Sequence, residues 1–215
     1  MKIKWLGLAS FLITSDNGTR IITDPYETRG DLSYREIRES ADIVTVSHDH
    51  FDHNNVAAIR DNPKIFRKIG EADIKGIRFR GIASFHDNVG GKERGKNMIS
   101  CFEVDGVKLC HLGDLGHQLT DEQISEIGQV DVLLVPVGGV YTIDAQVATK
   151  LCDRLKSKII IPMHFMDGKC KFPIAGVDDF LRGKQNLNRL DTSEIKVRSE
   201  ELPSVTQILV LRSAL

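Results

Sequence analysis

The sequence predicts an α/β fold in which two β-sheets pack face to face and helices cover the outside. The first part of the chain alternates short apolar runs with turn residues, as a β-meander does, and the last part alternates helical and strand patterns. In addition, histidine and aspartate residues follow several of the predicted strands. The 215 residues suit one domain, 1–215, because no linker or separate module interrupts the pattern.

Three strands are predicted at the start of the chain, over Lys2 to Leu8, Ser10 to Ser15 and Thr19 to Thr23. The sequence Asp16, Asn17, Gly18 forms the turn between the last two, because Asn-Gly tolerates the backbone of a tight hairpin turn. Asp24 and Pro25 end the third strand, since proline has no N–H to donate to the sheet ladder.

The middle of the chain is predicted to form a short helix and further strands. Asn54 or Asn55 can cap the helix, which runs through Ile59 and stops before Asn62 and Pro63. The strands are two or three within Lys64 to Phe85, broken at Gly70 and Gly76, then Met98 to Val104 and Lys108 to Leu112, joined by an Asp105-Gly106 hairpin turn.

Helices and strands alternate in the last part. Thr120, with Gln123 three residues on, has the pattern of a capping box. A second helix begins near Thr142 or Asp144, because apolar residues recur at helical spacing from Ala148 onward. The predicted strands are Asp131 to Val137, Lys158 to Pro162 and Thr206 to Leu211, and the polar stretch Gln185 to Ser199 is expected to be a surface excursion.

The most informative motif runs from His48 to His53 and places four metal-competent side chains within six residues, just after the apolar run Ile43 to Val46. In an extended chain, side chains two residues apart point the same way, so His48 and His50 can hold one cation together. Asp52 and His53 lie at the entry to the next element and can turn toward a second cation. So much imidazole at one strand end has a large desolvation cost unless a cation organises it, and the motif therefore predicts a metal site.

His-x-His-x-Asp-His at 48–53 resembles the signature of the metallo-β-lactamase superfamily. The flanking segments, from Trp5 to Phe180, resemble its cytosolic, lactonase-like hydrolase branch, which includes ascorbate-6-phosphate lactonase. The resemblance implies a four-layer αββα sandwich with a metal cleft where the strand ends of both sheets meet. One departure is Leu8, where many members have a histidine. The other motifs follow in the family's order: Asp24, His86, Asp114 in Leu112-Gly113-Asp114, and His164 in Ile161-Pro162-Met163-His164.

The resemblance implies a binuclear hydrolase whose metal-bound hydroxide attacks the substrate. The expected cofactor is two divalent ions, zinc first with manganese or iron as alternatives, because the donor set contains nitrogen and oxygen but no thiolate. Asp24 is predicted to accept the other N–H of a ligand imidazole, with a plain Asp-Pro turn as the alternative. By resemblance, His48, His50 and His86 hold one ion, Asp52, His53 and His164 hold the other, Asp114 bridges both, and Asp52 and Asp114 are catalytic.

Two further histidines are predicted to lie outside this set. His111 differs in strand parity from Asp114, so it is expected to point to the opposite side and to pack as a structural residue. His117, past Gly116, is expected to be a solvated loop histidine, and proton donation at the cleft mouth is the alternative.

The predicted substrate is a small anion. Two dications, two ionised aspartates and one bridging hydroxide sum to roughly one positive charge, which favours an anionic ligand. The loop Gly90 to Asn97 could hold phosphate or carboxylate through Arg94, Lys96 and Asn97, or it could be an ordinary charged hairpin loop. Tyr141, after Gly138 and Gly139, could line the same cleft.

Composition limits the other partners. A formal net charge of -1 gives no basic field for nucleic acid, and no apolar run is long enough to span a membrane. The four cysteines have no Cys-x-x-Cys spacing and the N-terminus has no signal-peptide pattern, so a cytoplasmic protein is expected. The sequence is compatible with an oligomer as well as with a monomer. The alternative functions are a mononuclear iron oxidoreductase of the persulfide dioxygenase kind and a non-catalytic metal-binding domain.

Overall fold

A computed structural model describes all 215 residues, Met1–Leu215. Three α-helices are present, α1 (Asp121–Ile127), α2 (Ala145–Leu155) and α3 (Val177–Leu181), with short 3-10 turns at Val56–Ala58 and Ser199–Glu201. The strands are β1 (Lys2–Gly7), β2 (Ser10–Thr14), β3 (Arg20–Thr23), β4 (Ile43–Thr45), β5 (Lys64–Phe66), β6 (Gly70–Ile74), β7 (Ile77–Phe85), β8 (Lys96–Val104), β9 (Val107–His111), β10 (Val132–Pro136), β11 (Ile159–Met163), β12 (Leu187–Arg189), β13 (Glu194–Lys196) and β14 (Gln207–Val210).

The strands form two sheets. One has six strands in the order β13-β1-β2-β3-β4-β5, and the other has eight in the order β12-β14-β11-β10-β9-β8-β7-β6. A core of 46 buried residues draws on both sheets, with Trp5 and Phe11 from one and Phe79 and Phe102 from the other. The predicted sheet-on-sheet α/β sandwich is therefore confirmed.

The predicted meander and hairpin are confirmed, because their turns follow local rules. Strands β1, β2 and β3 pair antiparallel in sequence, with Ile3 opposite Ile13 and Ile13 opposite Ile21. Asp105 and Gly106 both have positive φ, as a two-residue hairpin turn between right-twisted strands requires, and they join β8 to β9.

Helices α1 and α2 lie on one face of the eight-stranded sheet, and α3 packs against α2. Strands β9, β10 and β11 are parallel, and right-handed crossovers progressing in one direction place α1 and α2 on the same face. The predicted caps are present, since Thr120 and Gln123 form a capping box on α1 and Asp144 caps α2. None of these helices has the length and apolar character needed to cross a membrane.

The outer face of the six-stranded sheet is covered by irregular chain. A second core of 13 buried residues, including Leu6, Val44 and Tyr34, lies under the segment 24–42, which connects β3 to β4 without an α-helix. Tyr26 fixes this segment, because its hydroxyl donates to the carbonyl oxygens of Leu6 and Arg35. The fourth layer of this sandwich is thus a packed loop.

Two local predictions were wrong. The stretch Gln185 to Ser199 is no surface excursion, because it supplies β12 and β13, the edge strands of the two sheets. The predicted helix after the histidine motif is only the 3-10 turn Val56–Ala58, and the Asn55 side chain does not cap it. Both errors have the same origin: three-residue elements are too short to show a period in sequence.

Candidate metal centre

The predicted metal ligands lie where strands of both sheets end at their carboxyl termini. Asp24 follows β3, the motif from His48 to His53 follows β4, and His86 follows β7. Asp114 and His164 come after β9 and β11, which lie with β7 in the eight-stranded sheet, whereas β3 and β4 belong to the six-stranded sheet. Strand direction explains the convergence: β3 is parallel to β4, β9 is parallel to β11 through β10, and β7 runs the same way as β9.

The structure brings these side chains together in two adjoining groups. Within each group, the candidate ligand atoms all lie within 4.8 Å of one another. The imidazole centroids of His48 and His86 are 4.7 Å apart, and those of His53 and His164 are 5.9 Å apart. The first group is His48, His50 and His86, and the second is Asp52, His53, Asp114 and His164.

Asp114 joins the two groups. Its Oδ2 lies 3.1 Å from Nε2 of His53, 3.2 Å from Nε2 of His86 and 3.2 Å from Nε2 of His164. Two donor atoms on one tetrahedral ion, with bonds of about 2.0–2.1 Å, lie roughly 3.3 Å apart. The observed spacing therefore suits oxygen and nitrogen donors that share a cation, with Asp114 adjacent to both groups of side chains.

Buried polar atoms without partners provide the test of fit. Five of the nine such side-chain atoms in the molecule belong to this cluster: His48 Nε2, His53 Nε2, His86 Nδ1, Asp114 Oδ1 and His164 Nδ1. An unpaired buried polar atom costs free energy, and three of these atoms, His48 Nε2, His53 Nε2 and Asp114 Oδ1, could share a missing partner. His86 and His164 face Asp114 with Nε2, so their unpaired Nδ1 atoms point away from it. An all-nitrogen and oxygen set of this kind fits divalent zinc, manganese or iron.

The charge states at the cluster follow from burial and from neighbouring carboxylates. Burial lowers the pKa of His48 to about 2, so this ring is neutral and offers a lone pair. Burial also acts to lower the pKa of His53, but the carboxylates of Asp114 and Asp52 outweigh it and hold the pKa well above its ordinary value. Burial acts to raise the pKa of Asp114, but His164 and His53 keep it well below its usual range.

Asp24 orients two of the imidazoles from one carboxylate. Nδ1–H of His53 donates to Asp24 Oδ2 over 2.9 Å. The Ser47 hydroxyl donates to the same oxygen over 2.5 Å, and Nδ1 of His48 lies 2.9 Å from that hydroxyl. In both rings Nε2 is left to face the cluster. Ser47 was not predicted to take part, although it directly precedes His48 in the sequence.

Asn97 positions Asp114, which corrects its predicted role as a substrate contact. Its side chain is buried, and the amide NH₂ donates to Ser84 Oγ (2.7 Å) and to the Leu112 carbonyl (2.9 Å). Its carbonyl oxygen accepts the backbone N–H of Asp114 over 2.9 Å. All of its polar atoms are engaged, so none is left for a ligand.

The glycine-rich loop after His86 is organised by Asp87, which sequence reasoning did not single out. The Asp87 carboxylate accepts four backbone N–H groups, from Val89, Gly91, Glu93 and Arg94, at 2.7 to 3.0 Å. Burial would raise the pKa of Asp87, but these donors hold it below its usual range. The loop therefore has a defined shape at neutral pH.

Arg94 and Tyr141, predicted from separate loops, meet each other on segments whose backbones bond to proposed ligands, since Gly95 accepts the His86 N–H and Gly138 donates to the His164 carbonyl. The Arg94 guanidinium carbon lies 5.3 Å from the Tyr141 ring centroid, and that ring packs edge-on against Phe172 at 5.8 Å. Lys96 is exposed on β8 and its side chain forms no hydrogen bond or ion pair. A cation that sequence reasoning missed, Arg29, lies 4.1 Å over the Phe51 ring within the histidine motif.

The two remaining histidines have structural contacts. His111 is buried, with Nε2 2.8 Å from the Ala9 carbonyl of the opposite sheet and Nδ1 accepting the Gly113 N–H, as a packed residue would. His117 is not a free loop histidine, because its Nε2 accepts the Phe85 N–H over 3.1 Å and its Nδ1 lies 2.8 Å from the Gln118 carbonyl. Both ring nitrogens are used, which disfavours proton donation.

Two glycines allow neighbouring loops to approach the histidine backbones. A Cβ on Gly116 would lie 2.3 Å from the carbonyl carbon of His86, and one on Gly138 would lie 2.4 Å from the carbonyl oxygen of His164. Neither separation is possible for real atoms. One surface cleft lies against β6, β7, β8 and the end of α1 and includes none of the cluster residues. The cluster is the better candidate because it gathers unpaired buried polar atoms.

Comparisons with known proteins agree with this geometry. A family profile described as the beta-lactamase superfamily domain matches residues 2–164. A Thermotoga maritima protein of known structure, assigned as a Zn-dependent hydrolase of the metallo-β-lactamase superfamily, is 37% identical, with a TM-score of 0.82 over 98% of this chain and 97% of that one. A UPF0173 metal-dependent hydrolase of Nanoarchaeum equitans is 33% identical in an alignment that covers 77% of this chain and 84% of the relative. Another, from Hyperthermus butylicus, is 26% identical in an alignment that covers 98% of this chain and 96% of the relative. With a family profile over residues 2–164 and relatives at 33% and 37% identity, the chain belongs to the metallo-β-lactamase superfamily and is a metal-dependent hydrolase.

Proposed function

We propose that this hydrolase uses two divalent ions, zinc first with manganese or iron as alternatives, to cleave a small anionic ester, lactone or phosphodiester. The observation that carries the proposal is the position of Asp114, whose Oδ2 lies within 3.2 Å of imidazole nitrogens from both ligand groups. A single-ion site would not need a buried carboxylate between two groups. The seven proposed ligands are His48, His50, Asp52, His53, His86, Asp114 and His164.

The bound ions would supply a Lewis acid for the carbonyl or phosphoryl oxygen and a water activated at neutral pH. The protein's part is to hold the donors rigidly. Asp24 fixes His53 directly and His48 through Ser47, and Asn97 fixes the backbone of Asp114. Asp52, less deeply buried than Asp114, is the carboxylate we propose to accept a proton during turnover.

Arg94 supports the anionic substrate class. Its side chain is 32% exposed beside the Tyr141 ring, and Nη1 lies 3.5 Å from a Glu93 carboxylate oxygen, so the remaining N–H donors are available to a substrate carboxylate or phosphate. The loop that carries it is fixed by Asp87, so little order would be lost on binding. We therefore propose Arg94 and Tyr141 as substrate contacts, in keeping with the lactonase-like branch. We propose a free small molecule as the partner. The formal net charge of -1 gives no reason to expect a nucleic acid.

Metal content and a substrate panel test the proposal together. Purified protein should contain about two ions per chain by elemental analysis, and the loaded protein should hydrolyse members of a panel of small esters, lactones and phosphodiesters. One iron per chain with oxygen consumption on a persulfide would instead favour the oxidoreductase. Two ions without turnover of any ester, lactone or phosphodiester would contradict the proposed reaction.

A further inference from the structure

Three exposed apolar side chains lie on the loops around the metal centre. Val89 is 42% exposed, Val140 60% and Met166 50%. Only six large apolar side chains in the molecule are at least 42% exposed. Val89 follows His86 by three residues and Met166 follows His164 by two, so both loops continue directly from proposed ligands.

Backbone hydrogen bonds connect these loops. Gly138, two residues before Val140, donates its N–H to the His164 carbonyl over 3.1 Å, and its own carbonyl accepts the Ala175 N–H. Met166 donates to the Ala175 carbonyl over 3.0 Å. The segments that carry Val140 and Met166 are therefore connected by backbone hydrogen bonds. On the other side, Tyr141 contacts Arg94, whose loop also carries Val89.

Val140 occupies an unfavourable backbone conformation that its packing does not explain. Its φ is 59°, a region that β-branched residues rarely adopt, and the Tyr141 N–H closes a three-residue turn on the Gly139 carbonyl over 2.7 Å. A strained conformation usually persists because the position has a function. Here the strained residue presents an isopropyl group to solvent beside the metal centre.

We propose that Val89, Val140 and Met166 form an apolar rim that binds the hydrocarbon part of an amphipathic anionic substrate. This inference rests on the proposed hydrolase function and narrows its substrate class to an ester or lactone with a chain of several carbons next to an anionic group. Arg94 binds the anionic group, and the rim removes the neighbouring chain from water. The juxtaposition of charged and apolar contacts on connected loops favours such a ligand over a fully polar metabolite.

Binding of straight-chain carboxylates tests the rim without relying on turnover. Acetate, butyrate, hexanoate and octanoate are titrated into metal-loaded protein by calorimetry. We expect Kd to fall by about two- to fourfold for each methylene that the rim covers. Val140→Ala and Met166→Ala should flatten this dependence on chain length. Val205→Ala is the matched control, because Val205 is also 60% exposed but lies before β14, at the opposite end of the sheet from His164.

The outcomes separate the rim from the proposed reaction. Equal Kd values along the series, or an equal change in Val205→Ala, would overturn the rim. A change in sedimentation coefficient in Val140→Ala would also overturn it and would identify the surface as a contact between copies of the chain. Chain-length-dependent binding without hydrolysis of any ester would contradict only the proposed reaction, whereas hydrolysis without that dependence would contradict only the rim.

Discussion

Oδ2 of Asp24 lies 2.9 Å from Nδ1 of His53, and through the Ser47 hydroxyl the same oxygen is linked to His48. One buried carboxylate thus orients an imidazole in each of the two ligand groups. A cation held by these rings depends on Asp24 even though Asp24 need not touch it.

Replacing Asp24 with Asn should weaken metal retention by roughly 10- to 100-fold, because both carboxylate oxygens accept hydrogen bonds and the amide NH₂ would face donors on one side, either the Ser47 N–H or the Ser47 hydroxyl and His53. Ser47→Ala should have a smaller effect, confined to the ion held by His48. Chelator competition measures both. His111→Ala is the control: it removes an equally buried ring bound to Ala9, so thermal stability should fall while metal is retained. Unchanged metal affinity in Asp24→Asn would reduce Asp24 to a turn residue.

Replacing Asp114 with Ala should abolish activity and loosen both ions, because it removes the carboxylate common to the two groups. Elemental analysis after dialysis gives the occupancy. Asp144→Ala serves as the matched control, since it removes a helix cap from α2 at about 0.5–2 kcal/mol without contacting the cluster. Two ions and full activity in Asp114→Ala would contradict the binuclear arrangement.

Replacing Arg94 with Ala should raise KM for anionic substrates and leave kcat little changed, because the guanidinium binds ground state and transition state alike. Neutral esters should be insensitive. Lys92→Ala controls for charge, since Lys92 lies in the same loop but is exposed and unpaired. If kcat/KM falls equally for anionic and neutral substrates, the loop only supports the fold.

Replacing Gly116 with Ala should displace the His86 backbone, because the new Cβ would overlap the His86 carbonyl carbon and the Asp87 nitrogen, at 2.3 and 2.4 Å. Overpacking of this kind typically costs about 1–3 kcal/mol. A lower melting temperature together with metal loss is expected. Gly176→Ala provides the comparison, since its Cβ would meet only one atom, at 3.7 Å. Normal metal content in Gly116→Ala would show that His86 tolerates movement.

The cysteines should differ in reactivity at pH 8. Burial raises the pKa of Cys152 to about 12 and that of Cys170 to about 11, and the hydrogen bond to Cys101 together with burial raises the pKa of Cys110. These groups are therefore protonated at pH 8 and gain thiolate only as the pH rises toward those values. Titration of the native protein with a disulfide reagent should modify only the partly exposed Cys101 quickly. Cys101→Ser should remove that fast phase.

Local sequence signals predicted the elements whose formation is decided locally. The Asp105-Gly106 turn, the Thr120 capping box and the Asp144 cap all involve residues within a few positions of one another. The metal cluster could be anticipated because its richest part, His48 to His53, is contiguous. Family order then supplied the distant members.

The missed features depend on contacts between distant residues. Asn97 was predicted to lie in a loop, because it follows a run of glycines and charged residues. Only the pairing of β8 with β7 and β9 brings its amide to Ser84, Leu112 and Asp114. The edge strand β12 has three residues and no alternating pattern, so its pairing with β14 leaves no periodic signal.

The segment 187–196 supplies an edge strand to each of the two sheets. Residues 187–196 pair with β14 through β12 and with β1 through β13. If this segment detaches, the backbone groups of β1 and β14 on that side become accessible to solvent together. Their amide hydrogens should then exchange with similar protection. During synthesis the edge of β1 that pairs with β13 stays open until residues 194–196 emerge, after every proposed metal ligand has already been made.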